Sequence, residues 1–182
     1  FNDYRLLISS ELTPQSKILY HRNILNRVNK IMPYLHYDPD PYLVAANNRL
    51  YWFIEAYTLT NMYPYAEPVD GQYYYIRNSV KVIVDAYNGT VDYYIVDPED
   101  PLIKTIADIF PDLFKPLETM PREIEQHLRY PPDLLAIQAG ILGDYHMENT
   151  ALFYNKEDAW NIAEEIVGDK RQTVEPYFTV MQ

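Results

Sequence analysis

The sequence predicts an α+β fold: an antiparallel β-sheet built from hairpins, with several helices packed on its apolar face. Three observations carry that expectation. Residues 40–58 and 79–101 each place β-rich runs on either side of an asparagine turn. Apolar residues alternate along the second pair of runs, so that one face is continuously apolar. Beyond them the pattern turns helical and is punctuated by prolines, and strands followed by helices is the order of an α+β domain. At 182 residues, 48% hydrophobic and 15% aromatic, the chain can bury one core without staples, and a single domain over 1–182 is expected.

The first elements follow from local signals. "NDYRLLIS", residues 2–9, reads as a short strand. Residues 12–35 read as a helix, with Thr13 placed to cap it, Pro14 at the first position, where its missing N–H costs nothing, and Pro33 near its end. Ile18, Leu25, Val28, Met32 and Leu35 form one helical stripe, the core-facing one. His21 shares that stripe and is expected as a packed or boundary histidine. Arg22, Arg27 and Lys30 lie off it and are expected in water.

Asn47 and Asn48 tolerate the positive φ of a type I′ turn, which sets Leu43 opposite Trp52 and Val44 opposite Tyr51. Both faces of that hairpin are apolar, so it is expected to lie centrally or beneath a second layer. Asn88 and Gly89 predict another two-residue turn, setting Asp85 opposite Asp92, Val84 opposite Tyr93 and Val82 opposite Ile95. Val80, Val82, Val84, Val91, Tyr93 and Ile95 then face the core. Lys81, Ile83, Asp85, Asp92 and Tyr94 share the other face, which is expected to meet water in part. Residues 59–73, with two prolines and a glycine, form a loop long enough to suspect a role. Helical periodicity follows over 101–110, 121–130, 131–147 and 155–167, the last capped by Asn155 with Asp158 three residues on. The strand-like "EPYFTVMQ" at 175–182 and the start at Phe1 are read as the edges of a fragment of a longer protein.

Composition excludes several functions. A net charge of −11, from 26 acidic against 15 basic side chains, repels a phosphate backbone and disfavours docking on anionic lipid. Nucleic acid is therefore not expected as a partner. The absence of cysteine removes disulfides, thiolate nucleophiles and thiolate metal sites. No run reaches the roughly 18 apolar residues that cross a bilayer. His21, His36, His127 and His146 are scattered without metal-ligand spacing, and nucleophile-elbow, dinucleotide and Walker motifs are all missing. No catalytic residue is assigned on these grounds.

Three constellations remain as candidates. Like charges directly opposite on a sheet repel, so Asp85 and Asp92 are expected either hydrated at a hairpin tip or bridged by a calcium-like cation. The hydrated tip is the preferred reading, and calcium is the one cofactor kept open. The acid-proline corners at Asp38 and Asp40, and at Asp97, Glu99 and Asp100, read first as turn initiators and second as oxygen ligands. "NGT" at Asn88 is formally a glycosylation sequon that the turn already explains. Among the 19 tyrosines, Tyr63, Tyr65 and Tyr73 sit in the long loop and could stack on a glycan or a protein partner.

Longer stretches carry a resemblance. "HRNILNRVNKIMPYLHYDPDPYLV", "RLYWFIEAYTLTNMYPYAEP", "YIRNSVKVIVDAYNGTVDYYIVDPEDPLIKTIADIFPDLFKPLETMP" and "HLRYPPDLLAIQAGILGDYHM" together resemble the large uncharacterised bacterial membrane proteins of family UPF0182. The family's usual "DGRLYW" turn reads "NNRLYW" here, which keeps a hairpin-compatible residue. The resemblance implies a fragment of the soluble, extracytoplasmic region of a multi-spanning protein in a bacterial cell membrane, attached to that membrane through N-terminal spans. It brings no reaction. The expected function is therefore interaction or scaffolding at the envelope, with an envelope protein or glycan as partner. A ligand-binding module for a glycan or divalent cation is the alternative, and a hydrolase using acidic residues stands below both.

Overall fold

Two long strands organise the molecule, and the rest of the chain covers them. The structure, a computed structural model, describes residue 8, residue 10, and residues 12–16, 20–69 and 71–174. In chain order these form α1 (Ile24–Ile31), β1 (His36–Tyr37), β2 (Tyr42–Ala46), β3 (Arg49–Thr60), β4 (Tyr75–Asp85), β5 (Val91–Ile95), α2 (Pro101–Ile109) and β6 (Phe114–Pro116). Then follow a 3₁₀ turn (Leu117–Thr119), α3 (Arg122–Glu125), α4 (Pro132–Tyr145), α5 (Thr150–Asn155), β7 (Glu164–Val167) and β8 (Lys170–Thr173). The main sheet runs β1-β3-β4-β5-β6, with β2 also on β3, and all pairs are antiparallel except β5 with β6. The fold is α+β. β7 and β8 pair only with each other.

Both sheet faces are covered. On one, Val28, Met32 and Leu35 from the α1 region and Ile103 from α2 pack on Ile54, Ala56, Val80, Val82, Val84 and Tyr93. The stripe expected for the first helix is thus the face α1 buries. The hydroxyls of Tyr37 and Tyr93 donate to the Val28 carbonyl, which also accepts the Met32 amide, and Tyr37 reaches the Met32 carbonyl that the end of α1 leaves open. On the other face Met120 and Ile124 pack on Val44, Phe53, Ile83 and Tyr94. That face was expected to be partly wet, and it is: the 117–128 segment forms a second layer over Ile83 and Tyr94, while Asp92 and Tyr87 stay in contact with solvent.

The first helix is shorter than expected. Asn23 caps it at Ile24, its side chain accepting from the Asn26 amide, while Thr13 and Ser16 close a local turn instead. Ile18 and residues 2–7 lie outside the described residues. His21 is exposed at φ 51, off the helix, because the chain turns there to enter the cap. Arg27 is half-buried rather than solvated, donating to the carbonyls of Tyr20, His21 and Gly89 and so tying α1 to the second hairpin turn. At the other end, Asn155 closes α5 instead of opening a helix. Asn149 caps α5, and 164–167 is strand.

The first hairpin has the expected register, with Asn47 and Asn48 at φ 50 and 58. The second does not. Val84 pairs with Val91, Ile83 with Asp92 and Val80 with Ile95, two residues from the expected alignment. The cause is side-chain competition in the turn: the Asp85 carboxylate accepts from the Tyr87 and Asn88 amides, and Asn88 accepts from the Thr90 amide. The loop widens, leaving Gly89 alone at positive φ. A shift of two keeps every side chain on its face, so the core survives but the opposition of Asp85 and Asp92 does not.

Asp100 links the layers. Fully buried, it caps α2 through the Leu102 amide at 3.0 Å and accepts from the Tyr75 hydroxyl at 2.7 Å and from those of Thr58 and Ser79. Burial pulls its carboxyl upward, but the Ser79, Thr58 and Tyr75 hydroxyls and the Leu102 amide outweigh burial and hold it below the usual carboxylate range. The unfolded chain binds this proton more readily, so the stabilisation is present above about pH 4 and is lost as pH falls through the folded value. Urea denaturation of Asp100→Asn should show a loss of about 2 kcal/mol at pH 7 and a shallower decline below about pH 4 than the unaltered protein. An unchanged acid slope would remove Asp100 from this role.

Candidate functional site

The ionisable groups of the β1–β3–β4 region converge because their strands pair. Glu55 and Lys81 are direct cross-strand partners, both buried, and form an ion pair. Lys81 also donates to the Arg129 carbonyl at 2.9 Å. Burial raises the Glu55 carboxyl against the pull of Lys81, and burial lowers the Lys81 ammonium against that of Glu55. Desolvation therefore outweighs attraction on each partner. Asp38 follows the two-residue β1, where Pro39 ends the pairing. It is buried, its carboxylate accepting from the Asp40 amide at 2.8 Å and the Tyr57 hydroxyl at 3.3 Å.

Beside this cluster a groove of about 640 Å³ runs between the sheet and α4. Leu59, Val69 and Ile76 line the sheet side, and Ala136, Ile137 and Gly140 the helix side. Asp38, Asp133, Tyr57, Tyr73 and His36 supply its polar groups. A recess of about 210 Å³ shares Asp38 and Asp133 with the groove and adds Tyr42, Glu55 and Arg129, so the two carboxylates stand where the cavities meet. Burial, reinforced by Asp133, pushes the Asp38 carboxyl up against its two hydrogen bonds. The Lys81 ammonium, paired with Glu55, lies near enough to Asp38 to feel its charge. A cleft of this size flanked by shifted groups is where binding chemistry is expected.

Of the loop tyrosines, only Tyr73 lines the groove. Tyr63 stacks on Tyr75 at 5.7 Å, and Tyr65 is fully exposed at φ 60. Asp85 and Asp92 are not brought together: Arg49 holds Asp85 at 2.6 Å, and Lys115 holds Asp92 at 2.7 Å. Asp85 is buried rather than at a hydrated tip. Among the described residues no group of three histidine or acidic side chains is placed to hold a metal ion. The acid-proline corners serve turns and caps, Asp97 accepting from the Glu99 amide and from Arg77. Glu55, Lys81 and Asp133 were not singled out from sequence. A lone acid and a lone base inside two apolar strands was the available signal, and only pairing shows that they meet.

Comparison with known proteins gives a family and no activity. The model of an uncharacterised protein family, UPF0182, matches residues 1–182. A UPF0182 protein of Moorella thermoacetica is 71% identical over 182 residues, covering 100% of this chain and 20% of the relative. One from Pelotomaculum thermopropionicum is 51% identical over 180 residues, covering 99% and 20%. One from Synechococcus sp. is 49% identical over 182 residues, covering 100% and 21%. The chain thus spans about a fifth of the length of the curated relatives it matches. No solved structure matches. Among the described residues, no helix is long and apolar enough to cross a membrane.

The buried pair makes a cooperative prediction. Glu55→Gln or Lys81→Met alone strands a charge and should cost about 3–5 kcal/mol in chemical denaturation. Glu55→Met combined with Lys81→Met should cost far less than the sum of the two single losses. Additive losses in that cycle would show that the two side chains act independently.

Proposed function

The chain belongs to the uncharacterised protein family UPF0182, and from the geometry of residues 132–174 we propose that it is an interaction domain, docking onto other parts of the same long polypeptide. The observation that carries this is α4. Its 14 residues bury only Gly143, while Leu135, Leu142 and Tyr145 lie exposed along one stripe. Every residue of β7 and β8 is exposed as well. A helix of this length and a lone two-stranded hairpin are each marginal in water without a surface to pack on. Exposed apolar patches of this extent mark interaction sites. The relatives are about five times longer than this segment, so the remaining polypeptide is the nearest source of such a surface.

The same reading places the segment in the extracytoplasmic part of a multi-spanning membrane protein, as a scaffold at the envelope. Resemblance to the family supports it. A second reading, glycan recognition by the 59–73 loop, is favoured by Tyr65, whose ring is held in solvent by a left-handed backbone that non-glycine residues rarely adopt. A divalent cation at Asp85 and Asp92 lacks comparable support, since each carboxylate already faces its own cation.

Photo-crosslinkers placed at Leu142 and Tyr154 in the full-length protein, in its native membrane, test the docking. Cross-links should join these positions to the same polypeptide beyond residues 1–182. Cross-links to separate proteins alone, or none, would overturn it. Protease added outside intact cells should cut near Tyr65, and complete resistance there, with cleavage in lysed cells, would place the segment on the opposite side.

A further inference from the structure

We propose that the open edge of β2 pairs with the same strand of a second copy of this chain, antiparallel across a two-fold axis at Val44. The direction of the β2 backbone carries this. Leu50 of β3 stands opposite Ala45, and its carbonyl accepts the Ala86 amide on the far side of β3. Leu50 therefore turns its backbone polar groups away from β2. Antiparallel pairs alternate between exchanging hydrogen bonds and not exchanging them, so Tyr42, Val44 and Ala46 face β3, while Leu43 and Ala45 direct their amides and carbonyls outward. The sole strand partner of β2 is β3, and among the described residues these outward groups have no hydrogen-bond partner. Edges of this kind are ordinarily blunted by lysine, proline or a bulge. The five residues of β2, YLVAA, include neither residue, their register on β3 is unbroken, and Leu43 is 45% exposed.

The side chains of β2 select the occupant. Turned about Val44, Tyr42 meets Ala46 of the second copy and Leu43 meets its Ala45, so each large side chain falls opposite a small one on its own face. In that register Leu43 and Ala45 exchange hydrogen bonds reciprocally, which is what their outward groups require. Pro41, with no amide proton, stands before the strand and the Asn47-Asn48 turn after it, and together they confine the pairing to these residues. Asp40 is exposed and lies beside the turn of the second copy, next to its Arg49, so opposite charges meet there although each chain carries −11 overall. A strand pair this short buries less surface than a stable soluble dimer needs. Association therefore depends on copies already held close together. The contact uses no residue of 132–174 and is independent of the docking described above.

The chain has no cysteine, so single introduced cysteines report the contact. Full-length protein in intact cells, with any cysteine outside residues 1–182 replaced, is oxidised as Val44→Cys or as Leu43→Cys and resolved on a non-reducing gel. Across the two-fold axis the Val44 pair is of the non-hydrogen-bonded kind, with Cα atoms about 4.5 Å apart, which a disulfide spans. Leu43 lies diagonally from its own copy, beyond the roughly 7 Å limit of such a bridge. Val44→Cys should give a disulfide-linked dimer, and the more exposed Leu43→Cys should give several-fold less. Adding Ala45→Pro to Val44→Cys should abolish the cross-link by removing an outward amide, and should leave the melting temperature unchanged, since an edge strand tolerates proline where its N–H faces solvent. Leu43→Lys, which charges the edge, should lower the yield several-fold and serves if the proline variant melts early. No dimer from Val44→Cys would overturn the proposal. So would equal cross-linking of Leu43→Cys, or a yield that neither Ala45→Pro nor Leu43→Lys diminishes.

Discussion

The structure depends on a constraint set by β3 and β4: both faces of their ladder are dry. From Phe53 to Thr58 on β3 and from Ser79 to Asp85 on β4 every residue is buried. A polar side chain in such a ladder has no water to fall back on and must find its partner within the protein. That requirement selects the partners seen. Glu55 meets Lys81, Thr58 and Ser79 meet Asp100, and Asp85 meets Arg49. Each pairing joins groups that are distant in sequence, so satisfying the ladder also fixes where the surrounding segments go.

Two of these pairings anchor the layers on opposite faces. Asp100 ties the start of α2 to β3 and β4 through its three hydroxyl donors, on the face that α1 and α2 cover. Lys81 reaches out of the ladder to the Arg129 carbonyl, three residues before α4 begins. The β-bulge between Ala56 and Thr58, where the β3–β4 register shifts, lies beside Tyr57, the donor to Asp38. The groove is thus a consequence of the ladder: one wall comes from the strands, and the other is a helix whose entry is pinned by a buried lysine.

What could be read from sequence was whatever depends on periodicity and turn chemistry. The α1 stripe, the Asn47-Asn48 hairpin and the apolar face of β4 and β5 all follow from residue spacing. The errors arose where a side chain competed with the backbone. Asp85 and Asn88 captured turn amides and slid the second hairpin by two residues, which no alternation pattern records because both registers keep the same faces. Asn23, not Thr13, caps α1, because Thr13, Ser16 and Asn23 can all cap and the stripe, read from Ile18, points to the earlier two. The groove was hardest to foresee. Tyr73 was legible as a loop aromatic, but its meeting with Asp38 and Asp133 joins three segments that only the tertiary fold brings together.

The contrast between the sheet and residues 132–174 has a direct physical reading. The sheet resolves its polar groups internally, and its helices α1 and α2 each present an apolar stripe to it. Helix α4 is apolar on opposite sides, lining the groove with Ala136, Ile137 and Gly140 and turning Leu135 and Leu142 outward. A helix apolar all round is stable only when something covers it all round. Gly143 makes even its local packing close: the Trp160 amide donates to the Gly143 carbonyl at 3.0 Å, and the Trp160 carbonyl lies where any larger side chain at 143 would need to sit. The segment after α4 is therefore fitted to the helix, and the pair forms one unit whose outer surface resembles the inside of a larger protein.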